Sequence, residues 1–169
     1  MKAVVVYESL WGNTATIARA IAEGLGPEAR ALSTAEASAG VVADADLIVA
    51  GSPVIAFALP TDKMREQLGA NPGRAPVPPD LSHPSMRSWL QALPKGHGRS
   101  AAFETRFRGP WGHAASAIVR GLERAGYAST AEPRGFIVTG AYGPLREGEV
   151  ERARQWGEEL ARLAAFRDD

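Results

Sequence analysis

Ser9, Gly12, Asn13 and Thr14 lie within six residues of one another in "YESLWGNTATIARAI". An apolar run ends just before them at Tyr7, and an amphipathic pattern begins near residue 13. Hydroxyls and a glycine at a strand-to-helix turn make a cradle for an anion. The first N–H groups of a helix have no intrahelical partner, and the helix dipole places roughly half a positive charge there. Gly12 allows the backbone to turn sharply and to approach a ligand closely. No Lys or Arg stands between residues 8 and 18. A nucleotide-cleaving P-loop needs Gly-Lys-Ser/Thr to reach the transferred phosphates, and the dinucleotide fingerprint needs three spaced glycines. Neither pattern occurs here, so the loop suits a terminal phosphate that is held and undergoes no chemistry. The plainer alternative is that Ser9 and Thr14 only cap a helix.

Other chemistries are excluded or unsupported by composition. The chain has no cysteine, which removes disulfides, thiolate metal sites and thiol nucleophiles. His83, His97 and His113 show no metal-ligand spacing, and no nucleophile–base pair can be read. Lys plus Arg (19) balances Asp plus Glu (19), so no overall field draws nucleic acid or an anionic membrane. No apolar stretch reaches the roughly 18 residues of a membrane helix, and the opening run is too short for a signal-peptide core. A cytoplasmic location is the expectation. The length of 169 residues suits a single domain spanning 1–169.

The elements that must position the cradle are legible as buried strands alternating with helices. Residues 2–7 are apolar without alternation, as in a strand covered on both faces. Residues 13–25 place Ile17, Ala18, Ile21, Ala22 and Leu25 on one helical face. Strands are expected at 28–33, 46–53, 99–104 and 134–140. Ser33 and Glu36 have capping-box spacing for a short helix. Further helices are expected from Thr61 to about Leu68, over 85–93, over 112–127 and over 146–166. The stretch "GANPGRAPVPPDLSHP" (69–84) reads as loop, because its prolines remove backbone donors. Right-handed crossovers then give an α/β fold with a five-stranded parallel sheet, helices on both faces, and ligands at the carboxyl ends of the strands. Loops 8–13, 52–60 and 104–112 should meet there.

The stretch "VVYESLWGNTATIARAI" resembles the flavodoxin signature: Val5, Val6, Tyr7, Ser9, Gly12, Thr14, Ala18 and Ile21 fall at its defining positions. The segments "AAFETR" and "GPLREGEVERARQW" also look like those of small flavodoxin-domain proteins of actinobacteria. The resemblance implies a flavodoxin-like doubly wound sheet of order 2-1-3-4-5, with 69–98 as an inserted loop and short helix. It implies FMN as cofactor. By position, Ser9, Leu10, Trp11, Gly12, Asn13 and Thr14 would bind its phosphate. Ser52, Pro53, Val54, Ile55, Ala56 and Phe57 would border one side of the ring; Glu104, Thr105, Arg106, Phe107, Trp111 and Gly112 would border the other. Phe57, Phe107 and Trp111 are candidates for ring contact, or else core residues. Arg106 and Arg108 would place positive charge by the ring, or else pair with Glu104. Trp89 is expected in the core.

The function expected from that resemblance is electron transfer through bound flavin, with a reductase or acceptor enzyme as protein partner. One alternative is an FMN-dependent NAD(P)H:quinone reductase, whose pocket a homodimer would complete. Another is a binding or regulatory module of the same fold that has lost FMN.

Overall fold

A computed structural model describes residues 1–110 and 112–166. The first strand, β1 (Ala3–Tyr7), is buried along most of its length and feeds helix α1 (Asn13–Leu25). Strand β2 (Arg30–Ser33) and the short helix α2 (Ala39–Ala43) follow, then β3 (Leu47–Pro53) and α3 (Asp62–Ala70). Helix α4 (Met86–Ala92) precedes β4 (Arg99–Arg106), and α5 (Ala114–Arg124) follows it. The chain ends in β5 (Ala128–Ser129), β6 (Arg134–Ile137) and α6 (Glu149–Ala165).

All strand pairs are parallel, in the order β2-β1-β3-β4-β5, with β6 also paired to β4. The register sets Tyr7 beside Gly51 and Pro53 beside Thr105. The loops after β1, β3 and β4 therefore leave the sheet side by side.

Alternate strand residues feed two cores. Val4, Val6, Ile48, Ala50 and Ala102 pack with Met86, Trp89, Leu90, Ile118 and Leu122 of α4 and α5. Val5, Leu47, Val49, Ala101 and Phe103 pack with Ile17, Ile21, Trp156 and Leu160 of α1 and α6. Trp89 is a core residue, as expected, and its indole N–H donates to the Ala37 carbonyl at 2.9 Å. Helices α1 and α6 meet through glycines. A Cβ on Gly24 would lie 2.0 Å from the Arg154 carbonyl oxygen, and one on Gly157 would lie 2.3 Å from that of Ile21.

Two expectations change in detail. The fifth strand position is shared: β5 pairs with Arg99 and Ser100, β6 with Phe103 to Arg106. Pro133, which has no N–H to give a ladder, stands just before β6. The Ser33–Glu36 box does form, with Glu36 N–H to Ser33 Oγ at 3.3 Å and Ser33 N–H to Glu36 Oε2 at 2.8 Å. It closes a turn, and the helix starts only at Ala39. Thr61 caps α3 by accepting the Met64 N–H at 3.2 Å; of the loop expected over 69–84, Gly69 and Ala70 belong to the last turn of α3, and residues 71–84 contain no strand or helix.

Candidate functional site

The site is built around the start of α1. Gly12 adopts φ = 95°, a left-handed conformation that a Cβ would oppose. That turn brings Ser9 Oγ under the helix, where it accepts the N–H groups of Gly12 at 3.1 Å and Ala15 at 3.2 Å. The first helical bond runs from Thr16 N–H to the Gly12 carbonyl at 3.0 Å. The N–H groups of Asn13 and Thr14 lie ahead of it and are outside the helical ladder. Thr14 Oγ1 is 2.8 Å from Thr105 Oγ1, a buried pair that ties α1 to the end of β4.

Behind this turn lies a buried charge network that the sequence did not announce. Glu8 is fully buried at the end of β1. Its carboxylate accepts from Arg65 at 2.5 Å, from the Met86 N–H at 3.0 Å and from Ser52 Oγ at 3.4 Å. The Arg65 guanidinium also donates to the His83 carbonyl. A buried carboxylate needs such compensation, because removing it from water costs several kcal/mol.

The proline-rich segment 71–85 lies across the outer side of the turn. The Trp11 indole N–H donates to the Val77 carbonyl at 3.1 Å, and Asp80 N–H to the Leu10 carbonyl at 2.9 Å. Ser9 N–H donates to His83 Nε2 at 3.3 Å. Burial, and next the Arg65 charge, hold His83 below the usual imidazole pKa. Hydrogen bonds from the Ser82 hydroxyl and N–H lower that of Asp80. From the other side comes the loop between β6 and α6. Tyr142 meets the Trp11 ring edge-on at 4.8 Å, its carbonyl accepts from Asn13 Nδ2 at 3.1 Å, and its hydroxyl donates to the Pro72 carbonyl at 3.4 Å.

These elements leave a cavity of about 40 Å³ lined by Ser9, Leu10, Trp11, Asn13, Thr14, Pro53, Val54, Ile55, Thr105, Arg106, Phe107, Val138 and Ala141. Most of the sequence-derived candidates therefore meet in one place. Val138 and Ala141 were missed, since nothing in their types marks the β6–α6 loop. Ser52 and Glu104 turn elsewhere: Ser52 Oγ to Glu8, and Glu104 to the Ala115 N–H at 2.8 Å. Gly112 lies beside Glu104, with no room for a Cβ. Ala56 and Phe57 form the tip of a small hairpin in which Ile55 and Ala58 exchange backbone bonds of 3.0 Å. Both have positive φ, 47° and 66°, a strained state that costs of order 1–3 kcal/mol per residue. Phe57 is 62% exposed and Phe107 54%. Arg106 Nε pairs with Glu104 at 3.1 Å, and its Nη1 donates to the carbonyls of Phe107 and Gly109, so this arginine braces its own loop. Trp111 lies outside the described residues. Among those described, no three His, Asp or Glu are placed to hold a metal, and no helix is long and apolar enough to cross a membrane.

No protein-family model matches the chain, and no curated protein sequence matches it. Solved structures do. A flavodoxin from the domain Archaea is similar with a TM-score of 0.66 at 19% identity, covering 98% of this chain and 99% of that one. Flavodoxin 1 from Bacillus cereus gives 0.66 at 19% identity over 96% and 98%. A flavodoxin, WrbA-like protein from Agrobacterium tumefaciens gives 0.61 at 19% identity over 97% of each chain. Strand order, helices on both faces and these full-length matches agree: the chain has the flavodoxin-like fold.

Proposed function

We propose that this chain binds FMN at the carboxyl edge of its sheet and transfers electrons to or from a protein partner. The observation that carries the reading is the turn at the start of α1. It offers the Asn13 and Thr14 N–H groups outside the helical ladder, a left-handed Gly12, and a Ser9 hydroxyl whose oxygen already accepts two N–H groups. That oxygen's own proton is then free to be donated. This donor set fits a phosphate monoester without any cationic side chain. In this reading Ser9 to Thr14 hold the phosphate, while the strained hairpin at Ala56–Phe57 and the loop at 104–112 flank the ring. Bound FMN supplies one- and two-electron redox chemistry; the protein supplies binding, orientation and exclusion of water.

The space is tighter than the donor chemistry. Small-molecule sites typically span roughly 300–1,000 Å³, and the cavity here holds about 40 Å³. The whole cofactor needs more room than this cavity provides, so binding requires the surrounding loops to move. The narrow cavity also supports a second reading, a module of the same fold that works without flavin.

The spectrum of the purified protein, with and without added FMN, separates these readings. Flavin absorbance that stays with the protein through gel filtration supports the first. A colourless protein that fails to take up FMN at ten micromolar or so, a weak affinity for a cofactor site, supports the second.

A further inference from the structure

His83 comes from a segment of prolines and polar residues, yet its side chain is only 5% exposed. Its protonation state follows from geometry. Ser9 N can only donate, so Nε2, 3.3 Å away, must accept. The neutral ring then carries its proton on Nδ1, which faces Asp80 Oδ1 at 3.8 Å. Three charged groups surround the ring: Asp80 from its own segment, Arg65 from α3, and Glu8 from the end of β1. Arg65 is committed to Glu8 and to the His83 carbonyl.

We infer that His83 is a proton-operated positioning residue of the phosphate-loop turn: neutral, it accepts the Ser9 N–H and clamps the turn to its own segment at that point, and protonated, it releases that bond. The inference rests on reading residues 9–14 as the phosphate loop. A proton on Nε2 turns an acceptor into a donor facing another donor. It also places a cation inside the fold beside the Arg65 guanidinium, with the exposed Asp80 as a weak counterweight. Both effects favour expulsion of the ring. Segment 77–83 has two other hydrogen bonds to the turn, at Val77 and Asp80, and its backbone stays anchored by Arg65 on the His83 carbonyl and by Thr34 Oγ1 on that of Pro84, so release of the ring acts on the Ser9 N–H.

The direction of the pH dependence follows from the depressed imidazole pKa. Stability contributed by the clamp is fully present above the ordinary value of 6.5 and is lost as pH falls from there through the depressed folded-state value. Each unit of depression corresponds to a tenfold change in the clamp equilibrium.

The test follows amide exchange of residues 9–11 in the flavin-free full chain between pH 8 and 5, corrected for intrinsic rates, in wild type and in His83→Gln. The glutamine amide oxygen can accept the Ser9 N–H and does not titrate. Protection in the wild type is expected to fall about tenfold per unit of depression below pH 6.5, and protection in His83→Gln to stay level. The same pH dependence in both proteins overturns the inference. If His83→Gln does not fold, the wild type alone decides: the His83 ring protons and the Ser9 amide must shift with one common midpoint below 6.5, and separate midpoints overturn the inference. FMN titrations over the same range use the variant as control, because a phosphate monoester itself titrates near pH ~6. Absence of FMN binding at every pH, with the protection loss intact, refutes the phosphate-site reading and leaves the clamp standing.

Discussion

On the proposed reading, Ser9 does two jobs with one hydroxyl. Its oxygen gathers the N–H groups of Gly12 and Ala15, and its proton is available to a ligand. Charge-assisted hydrogen bonds contribute roughly 1.5–3 kcal/mol. Ser9→Ala is therefore expected to weaken FMN by about tenfold or more while leaving riboflavin nearly unaffected; equal losses for both ligands in a fluorescence titration would remove Ser9 from the phosphate site. Local turn chemistry made the turn at Ser9 and Gly12 readable, because hydroxyls and glycine at a helix start have few roles; the contact of Thr14 Oγ1 with Thr105 was not. Glu8, Arg65 and His83 were not readable. Arg65 is 57 residues from Glu8, and His83 is 74 from Ser9; their partnership is a product of the fold. Removing one member leaves a buried charge unpaired. Arg65→Met is expected to cost about 3–5 kcal/mol of unfolding free energy in urea melts at pH 7. A loss within experimental error would mean that Glu8 is compensated by the Met86 N–H and Ser52 alone.

Among the elements, the crossing of α1 and α6 is the tightest joint. Gly24 and Gly157 let the two backbones touch where any side chain would collide with a carbonyl. Gly24→Ala gains helix propensity of about 1 kcal/mol, but a Cβ placed 2.0 Å from the Arg154 oxygen forces the helices apart. Overpacking of this kind costs typically 1–3 kcal/mol and occasionally more. We expect a net loss of stability in thermal or chemical melts; a stabilised variant would show that the crossing yields without cost. The buried strands were legible because an apolar run covered on both faces is distinctive in length and composition. The splitting of the last strand was not. Pro133 was visible, but "AS" at 128–129 is too short to carry a pattern, and only its pairing with Arg99 and Ser100 makes it a strand. The loop expected over 69–84 is irregular from Asn71 onward, while Gly69 and Ala70 close α3. Its three hydrogen bonds to the first loop were not foreseeable, since two of them use backbone atoms that every residue owns.

At the scale of the whole molecule, equal numbers of acidic and basic residues leave no net charge to steer a partner from a distance. On the proposed reading, recognition of a redox partner falls to the edge where Phe57 and Phe107 are exposed. The fold brings three loops from distant parts of the sequence to that edge, and the proposed reading rests on the donor set at the start of α1. Calorimetric titration of the flavin-free protein with FMN and with riboflavin, side by side, tests this most directly. The account predicts that FMN binds and that riboflavin, lacking the phosphate, binds at least tenfold more weakly, as loss of even one charge-assisted hydrogen bond requires. Equal affinities, or no heat with either ligand, would contradict it.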